Sequence, residues 1–259
     1  MEENKTKSEI WTDEKLKRRT FISFAIWTST GAASFLGWRW FRNLPQSDNG
    51  LSRQERSVLN FDEKANDAIF SDQHLARTYS KSLATPSPRV NGNVGVNDDI
   101  KLADWRLKVV NPINNSNTEV SIADIKNLPK TDIVFDFKCI EGWNEIVHYG
   151  GAKLSDFIKK YNLGKKQESN DYYRYLGLET PDGEYYIGLD IKSAMHPQTL
   201  LCYEMNDMPL EVKHGAPLRL IIPVKYGVKN LKCIGKMFFS DTPPRDYWFE
   251  NGYVYDAAL

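Results

Sequence analysis

The feature that most constrains this chain is a run of short apolar strands broken by one strong helix, without a βαβ rhythm. Trp105 to Val110 alternates like a strand, and Ile133 to Cys139 is a second such run. Leu154, Phe157, Ile158 and Tyr161 then fall at i, i+3, i+4 and i+7, and Gly164 supplies a stop, which predicts a short helix. Tyr172 to Leu178 and Tyr185 to Leu189 read as strands across the turn at Pro181-Asp182-Gly183. Leu200 to Met205, Leu218 to Val224 and Lys232 to Phe239 read as three more. Helices and strands mixed in this way predict an α+β domain with a mixed sheet rather than a doubly wound one. The sequence has no internal repeat and neither a GxGxxG nor a GKS/T phosphate loop.

With 259 residues, 41% of them hydrophobic, the chain can build one substantial domain plus an extension. Its 34 basic residues balance 34 acidic ones, and no basic tract follows the first twenty residues. Nothing in that balance attracts nucleic acid, so nucleic acid is not an expected partner. The three cysteines, Cys139, Cys202 and Cys233, are odd in number and lack CxxC spacing, which argues against a disulfide framework or a zinc site.

Three divisions are expected: a leader or membrane anchor over 1–44, a linker, helix and loop over 45–99, and the main domain over 100–259. Lys15, Lys17, Arg18 and Arg19 precede an uncharged run from Thr20 to Trp38, which Arg39 and Arg42 close. The run is long enough to span a bilayer, but its Ser, Thr and Gly residues make it only mildly apolar. Arg18-Arg19-Thr20-Phe21-Ile22 resembles a twin-arginine export signal, and a single-span anchor is the plainer alternative. Either implies membrane contact through this segment and a location on the exported, periplasmic side. In the next division, Val58, Phe61, Ala65 and Ile69 keep helical spacing and predict an amphipathic helix over 53–70. The Pro-, Gly- and Asn-rich stretch from Leu83 to Asp99 reads as a loop.

Three stretches could carry chemistry. Cys139 ends an apolar strand and opens Ile140-Glu141-Gly142-Trp143, where a turn can present its thiol to a pocket. Taken alone, a small buried hydrophobe is the commoner fate of such a cysteine. His214-Gly215-Ala216-Pro217-Leu218-Arg219 puts an arginine at the mouth of an apolar strand, where its forked donors suit a phosphate or a planar heterocycle. An internal salt bridge would serve that arginine equally well. Lys225 to Lys232 packs three lysines and a glycine into one turn, either a phosphate cradle or a solvated loop.

Taken together, these stretches resemble the oxidoreductase molybdopterin-binding family, which includes the sulfite oxidases and methionine-sulfoxide reductase catalytic subunits. The matching segments are 138–143, 150–155, 195–200 and 214–232, in family order, over about Trp105 to Tyr253. The resemblance implies a sulfite-oxidase-type fold and a molybdenum-molybdopterin cofactor with Cys139 as thiolate ligand and catalytic residue. It also implies cofactor contacts from His214 and Arg219, from Asn230, Leu231 and Lys232 at the phosphate end, and from Thr180. Asn91, in Arg89-Val90-Asn91-Gly92-Asn93, matches a cofactor-binding asparagine of the N-terminal loop.

The departures are informative. Sulfite oxidases follow the ligand cysteine with arginine-containing sequence, whereas Cys139 is followed by Glu141 and Glu145 and no arginine, which leans toward the reductase branch. His148-Tyr149 replaces the usual Pro-Trp before Gly150-Gly151, making His148 a pocket candidate. The Ig-like and haem domains of sulfite oxidases are expected to be absent. The expected activity is two-electron oxygen-atom transfer on an S-oxide, sulfite or related small substrate. Without a CxxCH haem motif, electrons are expected to pass to or from a separate membrane cytochrome or other redox partner. Two other classes remain: a binding module that keeps the fold without cofactor, and a thiol redox protein, which the lack of a nearby resolving cysteine disfavours. Cys202 and Cys233 are assigned to packing, and His196 to fixing a turn through its ring nitrogens.

Overall fold

The computed structural model describes residues 13–43, 51–69, 71, 73–92, 94–96, 104–110, 112, 117–169 and 171–259. The expected boundaries at 44 and 99, and Asn93, lie outside them. The chain forms two compact units, Met1–Gln54 and Glu55–Leu259.

The first unit holds helix α1, Asp13–Arg42. Phe21, Phe24, Trp27, Phe35, Trp38 and Trp40 are all exposed along it. Thr28 and Thr30 turn their hydroxyls back onto the carbonyls of Phe24 and Ile26, both at 2.8 Å, satisfying polar groups within the helix. Despite its length, α1 is too polar to meet the requirement of a span: among the described residues no helix is long and apolar enough to cross a membrane.

Helix α2 (Arg53–Ile69), all but its first two residues in the second unit, forms where the spacing predicts it but turns Val58 and Phe61 outward. Val58 and Phe61 are 61% and 71% exposed. Its polar face is the docked one: Arg56 donates to the Tyr253 carbonyl at 3.2 Å and lies over the Phe249 ring, and Glu63 accepts from the Tyr255 amide.

The body then runs β1 (Leu107–Val110), β2 (Asn117–Val120), α3 (Ile122–Lys126), β3 (Lys130–Lys138), β4 (Asn144–Lys153) and α4 (Leu154–Lys160). It continues with β5 (Tyr175–Glu179), β6 (Tyr186–Asp190), α5 (Ile191–Met195), β7 (Leu200–Met205) and β8 (Met208–Pro209), then β9 (Arg219–Ile221), β10 (Lys236–Ser240) and α6 (Tyr247–Glu250). Two five-stranded sheets result. One has the order β2-β1-β10-β5-β6, with β1 and β10 parallel; the other is β3-β4-β7-β8, with β9 paired to β7. The mixed-sheet α+β expectation holds.

The main core includes β1, β5, β6 and β10 together with Leu201, Tyr203, Leu218 and Leu220. A second cluster holds Ile133, Phe135, Tyr149, Leu200, Cys202 and Ile221. Strand β7 therefore serves both cores by alternation, Leu201 and Tyr203 to one and Leu200 and Cys202 to the other, which explains its unbroken apolar run. The same alternation in β9 sends Leu220 to the main core and Ile221, with Arg219 two residues before it, to the opposite face.

Strand β4 was not anticipated. Its Gly150-Gly151 pair reads as a turn, yet Gly151 sits where β4 presses on β7: a Cβ there would lie 2.1 Å from the Leu201 carbonyl oxygen. The β4–β7 register shifts between these two glycines.

Candidate active site

Cys139 lies just beyond β3, its amide donating to the Trp143 carbonyl at 2.9 Å while its own carbonyl accepts from Gly142 at 3.0 Å. This closed turn fixes the thiol at the wall of a cavity of about 180 Å³. Asn91, Glu141, Arg219, Asn230 and Lys232 share that wall with Phe137, Trp143, Tyr185, Tyr247, Trp248 and Tyr253. Asn91 Nδ2 lies 3.8 Å from the sulfur and 3.4 Å from Glu141 Oε2, and Glu141 also accepts from the Trp143 indole at 2.9 Å. Burial pushes the Cys139 thiol up, opposed by the Glu141 amide and reinforced by the Glu141 carboxylate, so the free thiol is protonated at neutral pH.

At the other end, Arg219 is 4% exposed, and among the described residues its hydrogen bonds go to neutral oxygens. Its Nη1 donates to the Tyr149 hydroxyl at 2.9 Å and the His214 carbonyl at 2.8 Å, and Nη2 reaches the Asn230 carbonyl at 3.4 Å. Its Nε is buried with no hydrogen-bond partner among the described residues. Asn230 is spent on the fold, accepting from the Ile222 amide at 2.7 Å and donating to the Tyr226 carbonyl at 3.1 Å. Lys232 donates to the carbonyls of Asn91 (2.7 Å), Gly92 (2.8 Å) and Lys213 (3.1 Å), so it pins the N-terminal loop to the site. Burial and the neighbouring Arg219 lower its ammonium to about 8. Gly215 (φ +103°) makes this junction possible, since a Cβ there would lie 2.9 Å from the Cα of Lys232.

Five of the expected residues, Asn91, Cys139, Arg219, Asn230 and Lys232, thus share one cavity. The other three do not line it. His214 contributes its carbonyl to Arg219, and the residue lines a separate cleft beside Pro88 and Met205. Burial, with the charges of Arg219 and Lys232 adding, lowers that imidazole to about 4. Leu231 is wholly buried in the main core. Thr180, expected among the cofactor contacts, lines another cleft and spends its hydroxyl inside the turn after β5, on Asp182 at 2.5 Å and Tyr185.

His148 is buried away from the cavity, against Asp132 at 3.2 Å. His196 accepts from the Gln198 amide through Nδ1 and faces the His74 carbonyl through Nε2, the turn-fixing role expected of it. The three cysteines are free and buried. The aromatic wall is not visible in the sequence: Tyr185 sits just before β6, Trp248 in α6 and Tyr253 in the turn after it, and together they follow no periodic pattern.

The orphaned Nε of Arg219 is the decisive observation on what fits here. Leaving a buried, charged donor unpaired costs about 1–3 kcal/mol or more, and an anionic or heteroatom-rich group entering from the cavity removes that cost. A phosphate-bearing pterin has such atoms, and a thiol at the far wall suits a soft metal carried with it.

Residues 93–248, more than half of the chain, match the model of the oxidoreductase molybdopterin-binding domain. The chain belongs to that family. It is similar to a protein-methionine-sulfoxide reductase catalytic subunit of Campylobacter jejuni, 30% identical over 206 residues that cover 74% of this chain and 68% of the relative. A putative protein-methionine-sulfoxide reductase subunit of Azospira oryzae is 28% identical over 187 residues, covering 71% and 68% of the two chains. Among solved structures, the sulfane dehydrogenase SoxCD of Paracoccus pantotrophus aligns at 18% identity and a TM-score of 0.48, over 56% of this chain and 40% of that one. As a member of this family the protein is a molybdenum-cofactor-dependent oxidoreductase of the sulfite-oxidase type, and molybdenum-molybdopterin is its cofactor.

Proposed function

We infer that the protein reduces sulfoxides, with methionine sulfoxide in polypeptides as the substrate, using electrons from a separate redox partner on the periplasmic side of the membrane. The observation that carries this reading is the cavity that holds the Cys139 thiol together with Arg219, whose Nε lacks a partner. In that arrangement Cys139 would be the protein's sulfur ligand, and Arg219 would hold the anionic end of the pterin, with the charge of Lys232 beside it and its donors clasping the loop. His214 and Asn230 would act by aligning Arg219 through their carbonyls, and Leu231 through its backbone. When bound, the molybdenum centre supplies two-electron oxygen-atom transfer.

The chain's own residues then decide what may approach. Trp143, Trp248 and Tyr253 give the cavity an aromatic wall around the thiol. The Glu141 carboxylate, held by Trp143 and facing the sulfur's side of the cavity, repels an anion such as sulfite and tolerates a neutral S-oxide. Reduction releases the oxygen as water once two electrons and two protons have been delivered. The similarity to the Campylobacter and Azospira relatives, whose names specify protein methionine sulfoxide, supports this substrate.

The test is Cys139→Ser. Wild-type protein is expected to carry about one molybdenum per chain and to reduce methionine sulfoxide with a reduced dye as donor. The variant should lose the reduction while its fold, read by circular dichroism, is kept. Sulfoxide reduction by Cys139→Ser at the wild-type rate would sink the assignment. Export is tested apart from chemistry. Replacing Arg18 and Arg19 by lysine should leave the protein in the cytoplasm on cell fractionation, and undiminished export would refute the twin-arginine route.

A further inference from the structure

We propose that Tyr149 is a positioning residue for the cofactor: its hydroxyl pins Arg219 so that one edge of the guanidinium is kept free for the anionic end of the pterin. The inference rests on the cofactor assignment above but concerns a residue outside the cavity.

An arginine has five N–H donors, and what matters is which of them the protein consumes. Both donors of Nη1 are taken, by the Tyr149 hydroxyl at 2.9 Å and the His214 carbonyl at 2.8 Å. Nη2 makes one long contact, 3.4 Å, and Nε makes none. The donors left over are therefore those of Nε and one of Nη2. These two nitrogens are neighbours on one edge of the planar group, the edge through which a guanidinium can grip a phosphate or a planar heterocycle.

Tyr149 is well placed to enforce this. It sits in β4, opposite Met205 in β7, and its ring is packed in the second core, 3% exposed, so its hydroxyl has little freedom. Burial pushes the phenol up, so it remains a neutral oxygen acceptor and leaves the charge of Arg219 uncancelled. A carboxylate in its place would neutralise the guanidinium and remove its pull on an incoming anion. Phenylalanine would keep the packing but release Nη1, allowing the guanidinium to turn.

The experiment compares Tyr149→Phe with wild type, each purified as holoenzyme and from cells unable to make the cofactor. Molybdenum per chain is followed through prolonged gel filtration, and melting is recorded for both forms. The expected result is loss of molybdenum about tenfold faster, the size of one hydrogen bond to a charged group, while the cofactor-free variant melts with the cofactor-free wild type. Unchanged retention would overturn the proposal. So would an equal drop in melting temperature in both forms, since that is what a merely structural tyrosine produces. Wild-type protein that holds no molybdenum would instead refute the cofactor reading on which the proposal stands.

Discussion

Lys229 and Arg219 are both buried cations, one in the turn before Asn230 and one at the start of β9, yet they are treated in opposite ways. Lys229 donates to Asp246 and to the Gly188 carbonyl at 2.9 Å, and Asp246 also accepts from the amides of Gly188 (3.2 Å) and Phe249 (3.1 Å). That charge is answered within the fold. Arg219 has three neutral oxygens, one nitrogen with no partner at all, and no carboxylate among the described residues. A buried cation with an answering carboxylate belongs to the architecture; one without it stands to gain from an anion brought from outside.

Breaking the answered pair should have the largest effect. Asp246→Ala strands Lys229 in the interior and should cost about 3–5 kcal/mol of stability, measured by denaturant unfolding of the cofactor-free protein. A loss below that would mean Lys229 escapes to water and the contrast is overdrawn. Acid probes the unanswered end. His214 is neutral when folded, with its imidazole lowered to about 4 by burial, Arg219 and Lys232. Between pH ~6.5 and about 4 the unfolded chain takes up a proton that the folded one refuses, so stability should fall by up to about 3 kcal/mol across that window and level off below it. With the cofactor bound, its anionic end offsets the two neighbouring cations, and the fall between pH 7 and pH 5 should be smaller; equal falls would break the link between the cofactor and this cation cluster.

Arg219→Met comes next. Neutral oxygens lose a donor but no charge is stranded, so the cofactor-free protein should lose only about 1–2 kcal/mol while molybdenum retention collapses. The reverse outcome, stability lost and metal kept, would make Arg219 a second Lys229. The smallest effect is expected at Thr180. Its hydroxyl closes a turn in a different cleft, so Thr180→Ala should cost about 1 kcal/mol and leave molybdenum content unchanged.

Much of the fold was legible because its signals are local. The helix at Leu154–Lys160 and strand Leu200–Met205 declare themselves by period and by apolar density. β4 did not, because Gly150-Gly151 is a turn signal locally, and the need for glycine arises only when Leu201, about fifty residues on, is laid against it. The outward turn of Val58 and Phe61 in α2 was hidden for the same reason: their spacing is visible in the sequence, but the partners that draw Arg56 and Glu63 inward, Tyr253 and Tyr255, lie at the far end of the chain. In the site, Cys139, Arg219 and Lys232 could be found from turn chemistry and family resemblance. Tyr149, Tyr185 and Trp248 could not, since what marks them is a neighbour in space.

The grip of Lys232 on the carbonyls of Asn91 and Gly92 has a consequence for biogenesis. Those two carbonyls leave the ribosome before the first strand of the body, and the lysine emerges only just ahead of the last. A nascent chain therefore cannot assemble its cofactor seat piecemeal as it elongates. The clasp is complete only once Lys232 has been made, and a truncation just short of it would leave the seat and the 91–92 loop without their shared contact.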